Sequence, residues 1–138
     1  MTFNDNVVDR HPRYHDGRAF RDGALSVAFR RCEDSVISGN QFMGVWRQPA
    51  GLVLEGCRRV NVVGCNVLDS DNAGVMLKDC AHCKVSNCLI RDDRSATTDP
   101  VAIRVEGGQG NFLTGNLVRG KLLLDPAAGF ESGNHATP

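Results

Sequence analysis

The residues best equipped for chemistry include two carboxylates in matching positions. Asp71 stands four residues before Val75, and Asp99 stands four residues before Ile103. Val75 and Ile103 open equivalent segments of the chain, so the two side chains are expected close together. Paired carboxylates can supply the acid and the base of glycosidic cleavage. The competing explanation is turn chemistry, because Asp is favoured where turns begin and strands start. A second cluster lies in the insertion 9–23, which holds two of the four His residues and the only Tyr. Tyr14 is a candidate substrate contact there, and His15 and Asp16 are candidate catalytic residues. Recognition residues favour loops on rigid scaffolds, although a charged loop of this kind is also simply well solvated. The only Trp, Trp46, stands beside Arg47. An indole and a guanidinium on one loop can stack on a sugar ring, or the indole can fold back over the protein. Arg104 is a further candidate for substrate binding.

The six cysteines give a different signal. Cys80-x-x-Cys83, with His82 between them, looks like half of a zinc site, but a tetrahedral site needs a second pair. No metal or cofactor is expected. Cys32, Cys57 and Cys80 recur at one repeat position, and Cys65 and Cys88 at another. That periodicity marks small, inward-facing, reduced residues, since free Cys is among the most buried side chains. Disulfides between stacked neighbours stay within the permitted spacing.

These residues are positioned by a repeat. Residues 51–67 and 74–90 align without a gap: Leu52 on Val75, Leu54 on Leu77, Cys57 on Cys80, Val62 on Val85, Cys65 on Cys88 and Val67 on Ile90. Upstream the template catches Val27, Phe29, Cys32, Ile37, Asn40 and Phe42, and earlier still Phe3, Asn6 and Val8. Downstream it catches Ile103, Val105, Gly108, Leu113, Asn116 and Val118. Asn40, Cys65, Cys88 and Asn116 share one column at steps of 25, 23 and 28 residues. A period in the twenties signals stacked supersecondary units. Within a unit the apolar residues alternate over short runs broken by Gly, Asn and Asp, which is the pattern of strands and turns.

The pattern Gly-x-Leu/Val-x-Leu-x-x-Cys-x-x-x-x-Val-x-x-Asn/Cys-x-Val resembles the right-handed parallel β-helix repeat of the pectin-lyase-like superfamily, over roughly residues 24 to 125. The resemblance implies an all-β, right-handed parallel β-helix, a solenoid of about five short coils. It also implies carbohydrate chemistry, as a polysaccharide lyase, a glycoside hydrolase or an epimerase. Ser70-Asp71-Asn72-Ala73-Gly74-Val75 resembles the Asn-Thr-Asp-Gly-Ile segment of polygalacturonase-like β-helices, whose catalytic Asp residues lie at the mouth of this sheet. Their Gly-His-Gly and Arg-x-Lys have no counterpart here. Tyr14-His15-Asp16 resembles part of the Tyr…Asp-Pro-His-Asp motif of β-helical alginate epimerases. Asp92 and Asp93 are further candidates in the loop 91–100.

Composition narrows the partners. Sixteen basic and sixteen acidic residues balance, so no global field steers the chain toward nucleic acid or an anionic membrane. No apolar run is long enough to span a bilayer, and the first residues lack signal-peptide character. The 138 residues read as one domain, which starts midway through a coil and resembles the C-terminal part of a longer solenoid. Arg30, Glu55, Lys78, Glu106 and Asp125 form one outward row of mostly alternating sign. Ala28, Val53, Met76 and Arg104 form the next, expected as an exposed apolar stripe. After Leu124 the pattern is expected to dissolve. Two functions follow: a β-helix that binds or processes a polysaccharide, or a non-catalytic assembly module acting through protein contacts. In the second case a homo-oligomer is expected, unless missing coils of a longer chain cover the N-terminal end.

Overall fold

A computed structural model of the chain describes residues 1–9, 27–95 and 97–138. They form a parallel β-helix of three sheets. Sheet A stacks β1 (Thr2–Asn4), β4 (Glu33–Ser38), β7 (Arg58–Val63), β10 (Lys84–Ser86), β13 (Asn111–Thr114) and β16 (Gly129–Ser132). Sheet B stacks β2 (Val7–Asp9), β5 (Gln41–Met43), β8 (Asn66–Leu68), β11 (Leu89–Arg91), β14 (Leu117–Val118) and β17 (His135–Ala136). Sheet C stacks β3 (Ala28–Arg30), β6 (Leu52–Glu55), β9 (Ala73–Lys78), β12 (Val101–Glu106) and β15 (Lys121–Leu124). The chain runs C to A to B in each coil, and every pairing is parallel.

The register is the one the repeat predicts. Leu54 pairs with Leu77, Val62 with Val85 and Val67 with Ile90. Phe3 pairs with Ile37 and Val8 with Phe42, so the first residues do enter midway through a coil. Alternation turns Leu52, Leu54, Val62 and Val67 inward, and each retains no more than 1% of its exposure. Full burial of such a side chain contributes about 1.5–3 kcal/mol. Near β1, Phe3 meets Phe29 edge-on at 5.3 Å and stacks over Phe42 at 6.4 Å.

The corners are set by residues in left-handed backbone. Asp5, Gly39, Gly64, Asn87, Gly115 and Gly133 all have positive φ at the turn from sheet A to sheet B. Asn, Asp and Gly are the residues that adopt this conformation at least cost, which explains their recurrence there. Gly74 is required for another reason. A Cβ at this position would collide with Ile90 and approach the Ala102 carbonyl oxygen to 2.7 Å.

Two expectations are corrected. The pattern does not dissolve after Leu124: Asp125 Oδ1 accepts the Ala127 amide at 3.1 Å, Ala128 is buried, and β16 and β17 add a further rung to sheets A and B. Alternation was hard to see there because Glu131 and Ala136 fill inward columns where earlier coils carry Leu113 and Val118. The row through Val53 is also not an exposed stripe. Val53 retains 8% of its exposure and clusters with Ala50 and Ala73, with Ala28, Met76 and Val101 packed against them. Ala50, in the loop before β6, and Ala73, the first residue of β9, so build a second small core outside the coil.

The charged row is confirmed in its first rungs, with Arg30 Nε 2.9 Å and Lys78 Nζ 3.8 Å from the Glu55 carboxylate. Glu106 turns to Arg104 on its own strand at 3.5 Å.

Candidate functional site

The loops joining sheet B to sheet C lie one upon another, and their side chains bind each to the next. In the loop 45–50, Trp46 Nε1 donates to the Asp69 carbonyl at 2.8 Å. The Arg47 amide donates to both Asp71 carboxylate oxygens, at 3.0 and 3.2 Å. Asn72 Nδ2 reaches back to the Gln48 carbonyl at 2.6 Å. The loop 69–72 grips the following one in the same way. Asp69 Oδ1 accepts the Asp93 amide at 3.0 Å, and Thr97 Oγ1 donates to the Asp71 carbonyl at 2.9 Å.

Two buried carboxylates brace the stack. Asp69 retains 8% of its exposure, and Arg94 Nε lies 3.5 Å from its second oxygen. Asp92 retains 6%; its Oδ1 accepts the Arg94 and Ser95 amides at 3.2 and 2.9 Å, and its Oδ2 accepts the Ser95 hydroxyl. A carboxylate removed from water requires charge-assisted bonds of this kind. Arg119 donates to the Asp92 carbonyl, and Arg91 forms a two-pronged pair with Asp93 at 2.5 and 2.8 Å. That pair holds the Asp93 carboxyl below its ordinary range, against a smaller opposing effect of desolvation.

On the outer side of this stack lies an open depression of about 550 Å³, lined by Trp46, Asp71, Arg94, Ser95 and Thr97. Pockets of this size suit a small ligand. Its lining comprises an indole, a carboxylate, a guanidinium and two hydroxyls. Trp46 and Asp71 therefore meet at one site, and Arg47 supports it through its backbone. Asp99 does not line the depression; its carboxylate is exposed and bound to Lys121 Nζ at 2.6 Å. The two carboxylates of the proposed pair thus have different partners. Arg104 lines a separate depression of about 380 Å³ with Leu123 and Asp125. Tyr14, His15 and Asp16 lie outside the described residues.

The family model for the right-handed beta helix region matches residues 2–131. The chain belongs to that family. No curated protein and no solved structure matches it. Family membership gives the hand of the coil; it leaves the chemistry to the side chains on this particular member of the right-handed beta helix family.

All six cysteines are free, and five are buried, with Cys32 only partly so. Cys80 and Cys83 face the core while His82 is exposed on a left-handed corner, so the three do not converge as ligands. Among the described residues no group of three or more His, Cys, Asp or Glu is placed to hold a metal ion.

The braces Asp69 and Asp92 were not anticipated in that role. Their signal was positional, since Leu68 pairs with Arg91 and the residue after each is Asp. Arg94, Ser95 and Thr97 carried no signal, because the long loop has no counterpart in the other coils.

Proposed function

We propose that the chain is a saccharide-binding right-handed β-helix whose sugar site is the depression beside Trp46. The observation carrying this reading is the convergence of the Trp46 indole with Asp71, Arg94, Ser95 and Thr97 on one open surface. A sugar ring presents an apolar C–H face and a rim of hydroxyls. The indole suits the first, and the carboxylate and hydroxyls suit the second. Arg94 suits the carboxylate of a uronate residue. Superfamily resemblance points the same way. Any cleavage at this site falls to Asp71, and Asp99 contributes only if it leaves Lys121. A glycan array bearing uronate and neutral oligosaccharides tests the proposal. Binding is expected, weakened tenfold or more by Trp46→Ala and by Asp71→Ala, with far-UV circular dichroism unchanged. Absence of binding across both classes would overturn it.

A second reading, an assembly module acting through protein contacts, is supported by exposed apolar side chains on outermost strands. Val7 on β2 retains 69% of its exposure, Phe130 on β16 58% and Leu123 on β15 41%. Sedimentation decides between the two. Oligomers that form with concentration, together with no glycan affinity, favour assembly.

A further inference from the structure

We propose that Cys65 and Cys88 are an oxidisable dithiol that closes to a disulfide and ties two consecutive coils together. Asn66 pairs with Leu89, and the Leu89 amide donates to the Cys65 carbonyl at 3.0 Å, so the two cysteines stand one above the other in adjacent rungs. Strand spacing is about 4.8 Å. That lies inside the Cα window of about 4.4–6.8 Å that a disulfide bridges without backbone movement.

The column they occupy sets these two buried thiols apart. In the other coils it holds Asn6, Asn40, Asn116 and Asn134, and each side-chain oxygen in the later coil accepts the amide beneath it. Asn6 donates its amide to Asn40 Oδ1 at 2.9 Å, Cys88 to Asn116 Oδ1 at 3.0 Å, and Asn116 to Asn134 Oδ1 at 3.1 Å. At Cys65 and Cys88 a sulfur stands where that oxygen belongs. Asn40 Nδ2 points at Cys65 Sγ from 4.0 Å. Donors arranged for an amide oxygen therefore face sulfur, and they favour a thiolate.

The Cys65 thiol is drawn down to about 6, first by hydrogen bonding from the Cys88 thiol and then by the Asn40 and Gly39 groups, against the opposing effect of burial. The Cys88 thiol is pushed up, first by Cys65 and then by burial. In the proposed reaction Cys65, the thiol held down, supplies the attacking sulfur, and Cys88 supplies the second thiol. Cys80 and Cys83 are divided in the same sense, Cys80 pushed up and Cys83 drawn down, but they belong to one coil, whereas Cys65 and Cys88 stand in adjacent rungs of the asparagine column. Burial pushes the Cys57 thiol up, and its Sγ turns away to the Phe29 carbonyl at 3.2 Å.

With hydrogen peroxide as oxidant the chemistry balances. The Cys65 thiolate attacks one peroxide oxygen and the O–O bond breaks, giving a sulfenic acid and hydroxide, which takes a proton to become water. The Cys88 thiol then loses its proton and attacks the sulfenic sulfur. The S–S bond forms, and the departing hydroxide and that proton make a second water. Two thiols and one peroxide become one disulfide and two waters.

The test uses the whole chain, treated with hydrogen peroxide, alkylated under denaturing conditions and digested with trypsin. Cleavage after Arg59, Lys78, Lys84 and Arg91 places Cys65 alone in 60–78 and Cys88 alone in 85–91, apart from the other four cysteines. The expected result is a link between these two fragments within one chain, released by dithiothreitol, at a rate that rises through about pH 6. Cys88→Asn, which restores the ladder residue, should fold and show no such link. Full alkylation of Cys65 and Cys88 after peroxide would overturn the proposal, as would linkage through Cys57 or Cys80 instead, or linkage between chains.

Discussion

Asp69 and Asp71 stand two positions apart on one loop and serve opposite ends. Asp69 is buried, has positive φ, and holds the next loop through the Asp93 amide. Asp71 is half-exposed and faces the depression. Removing the first should unfasten the loops: Asp69→Ala is expected to lower stability by about 1–3 kcal/mol, because the Asp93 amide and the Arg94 guanidinium lose their acceptor. Chemical denaturation measures this. Asp71→Asn keeps one acceptor for the Arg47 amide, so its melting temperature should stay within a few degrees of the parent's while any cleavage of a bound glycan is abolished. Counting four residues back from the strand found Asp71 in the sequence. It did not separate a bracing carboxylate from an exposed one, because that difference lies in loop backbone the repeat does not specify. The same limit applies to Asp99: its column matches Asp71, but its nearest partner is Lys121 on the following strand, which the repeat places no constraint on.

At the scale of strands and turns, nearly all the order was legible. Stacked columns of Leu, Val, Ile and Cys need only a constant period, and side-chain alternation then fixes which face is buried. Leu77 is fully buried between Leu54 and Val105, so Leu77→Ala is expected to cost about 2–5 kcal/mol. What escaped the reading was the final coil, where Glu131 and Ala136 interrupt the apolar columns while Asn134 still continues the ladder one rung beyond Asn116. Asn134 was the available signal, missed because its step from Asn116 is only 18 residues. Charge pairs, across strands for Arg59–Asp34 and Arg30–Glu55 and within one segment for Arg91–Asp93, also act at this scale. Arg59 holds the Asp34 carboxyl below its ordinary range, Arg30 does so for Glu55, and Arg91 does so for Asp93. A depressed carboxyl contributes stability that is present above its unfolded value, about 4, and is lost as pH falls through the folded value. Melting temperature should therefore hold from neutrality to about pH 5 and decline below about pH 4. Arg91→Gln should flatten part of that decline.

In the whole molecule, the strands of each coil pair with those of the adjacent coils, and Arg91 reaches two rungs on, to Thr137 and Pro138, so stability is close to a sum over adjacent rungs. The balanced charge of the chain gives no long-range attraction for a polyanion, so the proposed sugar recognition rests on contacts within the depression. The exposed Val7 and Phe130 lie on outermost strands at opposite ends of the stack, Val7 one rung from the Trp46 loop and Phe130 at the remote end, so sugar binding and association through Phe130 are separable by mutation. Phe130→Lys should reduce any association seen in sedimentation and leave glycan affinity unaltered. Trp46 is the only tryptophan, which makes its fluorescence a reporter placed in the proposed site itself. The most direct measurement is a fluorescence titration of the intact chain with uronate and neutral oligosaccharides. A saturable change in Trp46 emission with one class of sugar, abolished by Asp71→Ala, is the expected result; emission that stays constant with both classes to millimolar concentration would contradict a sugar site beside Trp46.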